Sequence, residues 1–243
     1  MRSNNNVRRR RGNFMLKSSR FFGSCVVAGA LLFLITMVAL HLLRPDYNPL
    51  RNFLSEYAVG PFGFLLTAAV YELAATFLML LFGLRLSVRP SGFLTASCVL
   101  LGVVIISSCA VAVFPIDLIM PPDGSRPTLA VLLATLTRTD IIHGLSSCLL
   151  FASLIALLLT LPSAYKHDEK WQSFSHTTLL LGFLFLASFV GLILAPFHLK
   201  GLAQRGMFLV ILIWLLLTGL RLRQAIPSTH DTAASYDGSS VKH

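Results

Sequence analysis

Residues 23–43 read GSCVVAGALLFLITMVALHLL, an apolar run that contains no Asp, Glu, Lys or Arg. A helix needs about 20 such residues to cross the hydrocarbon core of a bilayer, which is about 30 Å thick. Five further runs have the required length: residues 62–84, 92–114, 141–161, 177–197 and 201–220. The last is the least apolar at its start, where Gln204 and Arg205 lie. The sequence therefore predicts an all-α membrane protein, a bundle of six transmembrane helices.

The composition excludes the other common classes of protein. Hydrophobic residues make up 55% of the 243 residues, and charged residues make up 12%. An ordinary globular chain is about 25% charged, so this chain cannot cover the surface of a soluble enzyme with polar groups. Disorder requires low hydrophobicity and high charge, the opposite of what is found here. The lipid bilayer is therefore the partner that the composition itself implies.

Lys and Arg are distributed unevenly between the two sides of the predicted bundle. Most of them lie in residues 1–22, 85–89, 166–170 and 221–242, which share one side. The positive-inside rule makes that side the cytoplasm, so we expect a cytoplasmic-membrane protein with both termini inside. This predicts a basic tail over 1–22, a membrane domain over 23–223 and a disordered tail over 224–243. The basic residues of the cytoplasmic side account for most of the net charge of +10, so this charge implies no nucleic-acid partner. An oligomer is compatible with the sequence.

The loop after the first run has a helical pattern. Apolar residues recur there at i, i+3, i+4, i+7 and i+8: Leu50, Phe53, Leu54, Tyr57 and Ala58. Asn48 and Pro49 are typical of a helix start, and Gly60 of a helix end. We therefore expect a short helix in the outer interface, apolar face down. Its other face carries Arg51, Asn52, Ser55 and Glu56, and exposure to water is enough to explain Arg51 and Asn52.

Uncommon polar residues converge on the predicted outer face. They are Asp46, Ser55, Glu56, Asp117, Asp140, His143, Ser146, Ser147, His198, Gln204 and Arg205. One interpretation is a structural network in a non-catalytic scaffold or accessory protein, with Arg205 paired to Asp117 or Glu56. The interpretation that we favour is an outward-facing polar pocket for a lipid head group or small polar ligand. Its candidate ligand-binding residues are Ser55, Glu56, Glu72, Asp117, His143, Gln204 and Arg205.

A metal site is the third interpretation. Zinc accepts carboxylate and imidazole ligands, and a catalytic site needs three of them and an open position for water. Glu56, Asp117, His143 and His198 could supply three such ligands. The protein would then be a metal-dependent hydrolase at the outer membrane leaflet. No local spacing such as H-E-x-x-H accompanies these residues.

Glu72 is a separate candidate because it lies near the middle of the second run. At 1.5 Å per residue it is about 15 Å from the outer end. An ionisable side chain at that depth is a functional candidate by default, as a proton relay or as the bottom of the pocket. The alternative is a protonated or hydrogen-bonded structural carboxyl that faces the bundle.

Four stretches together resemble the prokaryotic membrane family known as domain of unknown function 998. They are NPLRNFLSEYAVGPFGFLLTAAV (48–70), FPID (114–117), the pair Thr137 and His143, and GLAQRGMFLVILIWLLL (201–217). The matching positions are Asn48, Pro49, Leu50, Ser55, Glu56, Gly60, Pro61, Phe114, Pro115, Asp117, His143, Gly201, Gln204 and Arg205. One departure is Asp140, where the family pattern leads us to expect glycine. The resemblance covers residues 23 to about 223 and implies a six-span bundle, without an activity.

Overall fold

The computed structural model describes residues 2–116 and 136–224, with side chains from residue 17 onward. Within these ranges the chain is helical and has no strand. The six long helices are α1 (Arg2–Leu43), α2 (Gly63–Ser87), α3 (Gly92–Val113), α4 (Arg138–Lys166), α5 (Gln172–Leu194) and α6 (Lys200–Gln224). Two short 3₁₀ helices lie between them, Leu54–Ala58 and Phe197–Leu199.

Each of the six long helices contains a stretch that is long and apolar enough to cross a membrane. The predicted six-helix membrane bundle is confirmed in this respect, and the chain is a multi-pass membrane protein. The final stretch, Phe197–Gln224, has the lowest mean hydropathy of the six, 1.8. This agrees with the presence of Gln204 and Arg205 near its start. Several helices run past the apolar runs in the sequence, because charged residues such as Arg85 and Lys166 continue the backbone hydrogen bonding.

Asp140, which departs from the expected family pattern, has a local structural role at the start of α4. The Thr137 hydroxyl accepts a hydrogen bond from the Asp140 backbone N–H at 3.1 Å. The Asp140 carboxylate in turn accepts from the Thr137 backbone N–H at 3.0 Å. This reciprocal capping box satisfies two backbone donors that a helix start would otherwise leave unpaired. It also fixes the first turn of α4, and thereby the direction of His143 one turn later.

The six helices form a ring. Each packs against the next in sequence, and α6 returns to pack against α1. The reversals of the chain bring four connecting pieces to one end of the ring: residues 44–62, 114–116, 136–137 and 195–199. We call this the loop end. It is the end at which the sequence predicted the polar residues to converge.

The predicted interfacial helix over residues 50–58 is wrong in form: turns cover residues 45–52, and a 3₁₀ helix follows at Leu54–Ala58. An α-helix would use the carbonyls of Leu50 and Asn52 for its own N–H groups. Here Leu50 O accepts from the backbone of α6, at Leu202 N. The expected exposure of Asn52 is wrong as well, since Asn52 is 4% exposed, and Glu56 on the same segment is 0% exposed. Residues 44–62 are therefore bonded to α6 instead of lying on the interface as an independent helix.

Candidate functional site: a cavity at the loop end

A cavity of about 70 Å³ lies at the loop end, between residues 44–62 and helices α1, α2, α3, α4 and α6. Its deeper wall is apolar and partly aromatic. Phe208 packs against Phe33 with the ring centroids 5.8 Å apart. It also meets Phe151 edge-on at 6.2 Å. Aromatic contacts at these separations stabilise a fixed arrangement, so the three rings form a firm floor.

Polar side chains lie on the cavity wall above this floor. They are Ser55, Thr67, Ser108, His143, Ser147 and Gln204. The described lining contains no Asp, Glu, Lys or Arg. The pocket that the sequence predicted to be polar is thus mainly apolar, with neutral hydrogen-bonding groups. It suits a ligand that is itself apolar at one end and polar, without strong charge, at the other.

His143 is a buried polar group of the cavity with a fixed orientation. It is 8% exposed, and its Nδ1 lies 2.8 Å from the backbone carbonyl oxygen of Phe114. Because a carbonyl can only accept, Nδ1 must carry the proton in the neutral ring. Nε2 is then an acceptor. The contact therefore sets both the tautomer and the orientation of an imidazole that a ligand can use.

Gln204 joins the cavity to residues 44–62. Its side-chain oxygen accepts from the backbone N–H of Leu54 at 2.7 Å. The side-chain nitrogen has no acceptor among the described residues and keeps two donors. Since Gln204 also lines the cavity, a ligand with a carbonyl or hydroxyl group can accept from it.

Arg205 lies behind the cavity wall and fastens three parts of the loop end together. Its Nη1 donates to the carbonyl of Asn52 at 2.7 Å and to that of Gly201 at 2.9 Å. Its Nε donates to His41 Nε2 at 2.8 Å. Its Nη2 lies 3.4 Å from the hydroxyl of Tyr57. The predicted ion pair of Arg205 with a carboxylate is not among the salt bridges of the described residues, and neutral acceptors hold the guanidinium.

Glu56 is fully buried beside this group and accepts two hydrogen bonds. The side-chain amide of Asn52 donates to Oε2 at 2.6 Å, and the backbone N–H of Phe53 donates to Oε1 at 3.0 Å. Burial raises the pKa of Glu56 above its ordinary 4.5, although these bonds and the charges of Arg51 and Arg205 oppose the shift. Glu56 is absent from the cavity lining, so its contacts hold residues 52–56 in shape.

The raised pKa of Glu56 predicts a pH dependence of stability. Because the folded state holds this proton more tightly than the unfolded state, its contribution to stability is complete below the ordinary value. It declines as the pH rises through the folded pKa. Glu56→Gln cannot titrate, so we expect its thermal midpoint in detergent to fall less with rising pH than that of the wild type. Glu169→Gln, at an exposed position of the opposite end, is the matched control. Parallel curves for wild type and Glu56→Gln would contradict the prediction.

The other candidate residues are dispersed. Glu72 lies deeper, on α2, and is not part of the cavity lining. His198 is exposed in the 3₁₀ helix Phe197–Leu199. Asp117 lies outside the described residues. Within the part of the chain that the structure describes, no group of three or more His, Cys, Asp and Glu is arranged to hold a metal ion. The described residues therefore do not bring together a set of ligands that would support the zinc hypothesis.

Sequence reasoning missed three contributors, His41, Asn52 and Tyr57. His41 lies near the end of the first apolar run, where a polar residue is common, and exposure to water was enough to explain Asn52. His41 accepts from Arg205 across 164 positions of sequence, and its Nδ1 faces the Met37 carbonyl at 2.5 Å. For His41 the sequence shows only a polar residue in the last turn of a helix, which is too common a feature to predict a contact.

Comparison with known proteins identifies the family of the chain. The family described as "Protein of unknown function (DUF998)" matches residues 27–221, most of the chain. The chain belongs to the DUF998 family. This confirms the resemblance that the motifs indicated. No curated protein matches the chain. No solved structure matches it either. Membership in DUF998 therefore supplies the family without an activity.

Proposed function

We propose that this DUF998 protein binds an amphiphilic ligand, a lipid head group or a small polar molecule, in the cavity at the loop end. The proposal rests on one observation: a single cavity has an apolar wall and a polar wall. Phe33, Phe151 and Phe208 supply an apolar floor, and the oriented imidazole of His143 supplies a polar contact above it. Binding sites of small molecules commonly combine these features.

The size of the cavity limits the ligand group that enters. A cavity of about 70 Å³ has room for only a few water molecules. That volume suits the polar end of a lipid, with the remainder of the molecule outside. Since the described lining has no charged side chain, we infer an uncharged polar end, such as the hydroxyl and ester groups of a diacylglycerol. An anionic phosphate would find no cation among the described lining residues.

The candidate residues then have different proposed roles. Ser55, His143 and Gln204 contact the ligand directly. Glu56 and Arg205 position residues 52–57, which form one side of the cavity. Asp117 follows Pro115, a lining residue, by two positions, and we keep it as a candidate contact. We keep Glu72 apart from this site.

We also propose that the loop end faces the outside of the cytoplasmic membrane. Support comes from the opposite end, which carries the Lys and Arg of residues 85–89, 166–170 and 221–223. Connections rich in basic residues stay on the cytoplasmic side. A ligand would then enter from the outer leaflet.

Filling the cavity tests the proposed function. Ser147→Leu places an apolar side chain into the space, whereas Ser146→Leu changes the preceding residue, which is absent from the lining. We expect Ser147→Leu to weaken retention of diacylglycerol by at least tenfold, about 1.4 kcal/mol. His143→Ala should weaken it in the same direction through loss of the polar contact.

The measurement is native mass spectrometry of the purified protein after incubation with diacylglycerol or phosphatidylglycerol in mixed micelles. Ser146→Leu should retain diacylglycerol like the wild type, and phosphatidylglycerol should not discriminate among the variants. Equal retention of diacylglycerol by Ser146→Leu and Ser147→Leu would refute the cavity as the site.

A further inference from the structure

Glu72 lies in the membrane-spanning part of α2, nine residues after the helix begins at Gly63. At 1.5 Å per residue this is about 14 Å along the helix. A carboxyl group at that depth is costly when ionised and is seldom found without a function. The cavity does not include it, so its role must come from its own surroundings.

The two oxygens of Glu72 have different environments. Oε1 accepts a hydrogen bond from the hydroxyl of Thr76, one turn later, at 2.7 Å. Oε2 is buried and has no hydrogen-bond partner among the described residues. The described residues also provide no ion pair for this carboxyl. One neutral donor stabilises the ionised form without compensating fully for its removal from water.

Helix α1 leaves space for this carboxyl through a glycine. A Cβ atom on Gly29 would lie 2.5 Å from Oε1 of Glu72 and 1.9 Å from Oγ1 of Thr76. The carboxyl therefore sits in the seam between α1 and α2, directly over the Gly29 backbone. Tyr71 and Ala75, its neighbours on α2, are exposed on the outside of the bundle. A lipid-soluble molecule can thus approach the seam from the bilayer.

Other titratable groups are remote from the carboxyl along both helices. On α1 the nearest is Cys25, one turn before Gly29, and the next are Arg20 and His41, nine and twelve residues from Gly29. On α2 it is Tyr71, which points to the exposed side. None of these is a hydrogen-bond partner of Glu72. The other elements that pack against α2 are α3, α6 and the 3₁₀ helix Leu54–Ala58. Their titratable residues are likewise no hydrogen-bond or ion-pair partners of Glu72: Cys98, Cys109, Lys200, Arg205, Arg221, Arg223, Glu56 and Tyr57.

We propose that Glu72 is a reversible proton-binding site in the α1–α2 seam, separate from the cavity. Its neutral form avoids an unpaired charge in the membrane. Its ionised form remains accessible because Thr76 donates to it. The proposal goes beyond ligand binding and does not depend on it, since none of the observations used here involves the cavity.

Dicyclohexylcarbodiimide, a lipid-soluble reagent, tests for the neutral carboxyl. The carboxyl proton moves to one nitrogen of the reagent, and the carboxylate oxygen bonds to its central carbon. The product rearranges to a stable N-acylurea without a leaving group, so the adduct retains the mass of the whole reagent. We expect one adduct on Glu72 by peptide mass spectrometry, absent in Glu72→Gln. Its yield should decline as the pH is raised from about 5 to about 9, the range of buried carboxyl titration.

Two threonine variants make the test specific. Thr76→Val removes the donor to the ionised form, so labelling should persist to higher pH. Thr36→Val removes a hydroxyl of α1 that bonds to the Leu32 carbonyl at 3.0 Å and is absent from the cavity lining, and it should leave the pH profile unchanged. Glu72→Gln should retain diacylglycerol like the wild type, which keeps this result independent of the proposed function.

Infrared difference spectra of wild type against Glu72→Gln provide a second measurement that does not require access of the reagent. A carboxylic acid band that disappears as the pH rises supports the proposal even without an adduct. A band or an adduct yield that does not change with pH would overturn it, because the carboxyl would then be permanently neutral. Absence of both signals would overturn it as well, because the carboxyl would be permanently ionised.

Discussion

Replacing Arg205 by alanine should destabilise the protein more than any other single change at the loop end. The guanidinium donates to acceptors on three parts of the chain, His41 on α1, Asn52 in residues 44–62 and Gly201 on α6. Each buried acceptor left without a donor costs about 1–3 kcal/mol. We expect a loss of about 3 kcal/mol in total, measured as a lower thermal midpoint of the purified protein in detergent.

A lysine at the same position separates geometry from charge. Arg205→Lys keeps the positive charge but lacks the planar group that reaches several acceptors in fixed directions. We expect a midpoint between those of the wild type and Arg205→Ala. Arg223→Ala, an exposed arginine of the same helix, should change the midpoint little. A variant Arg205→Lys as stable as the wild type would show that the charge alone matters and that the individual hydrogen bonds do not.

The six spans could be predicted because the bilayer imposes a length and a composition on each of them. The predicted run 92–114 and the observed helix Gly92–Val113 differ by one residue. Differences are larger where a helix continues into water. The run 141–161 lies within Arg138–Lys166, which extends through polar and charged residues at both ends. Hydropathy marks where the chain enters lipid, whereas hydrogen bonding and capping decide where a helix ends.

The structure of residues 44–62 could not be predicted from their own pattern. The apolar spacing in this segment is genuine, and Leu54 and Tyr57 are buried. However, the backbone partner of Leu54 is Gln204, 150 positions away. Arg44 closes the segment from its start, because its guanidinium donates to the carbonyls of Val59 and Pro61 at 2.7 and 3.1 Å. Local spacing predicts a helix only when the backbone groups of the segment have no better distant partners.

The candidate site was predictable as a region but not residue by residue. Topology alone brings the ends of α2, α3, α4 and α6 together, so it was enough to group Ser55, His143 and Gln204. Ser55 and Glu56 are adjacent in sequence, yet only Ser55 lines the cavity. Their division depends on the 3₁₀ geometry of Leu54–Ala58, which turns the chain differently from an α-helix. Which of two neighbouring polar residues meets the ligand is therefore decided by contacts with other helices.

Gly201→Ala should separate residues 44–62 from α6. A Cβ atom at this position would lie 2.5 Å from the carbonyl oxygen of Asn52 and 2.8 Å from that of Pro49. Both obstacles are backbone atoms, so no side-chain rotation relieves the clash. Displacing the segment would break the bond from Leu202 N to Leu50 O and the bond from Arg205 to Asn52 O. Overpacking of this kind costs about 1–3 kcal/mol, and we expect a corresponding fall in the thermal midpoint.

Gly206→Ala, on the same helix, is the matched control because a Cβ atom there would have no atom within 4 Å. Alanine favours helix over glycine by about 1 kcal/mol, so this variant should be as stable as the wild type or more stable. The same substitution is thus expected to act in opposite directions five residues apart. Gly201→Ala should also lose retained diacylglycerol, because Leu54 and Ser55 move with the displaced segment, while Gly206→Ala keeps it. If both variants unfold at the wild-type temperature, residues 44–62 do not pack on α6 as described, and the cavity wall that they form must be abandoned with them.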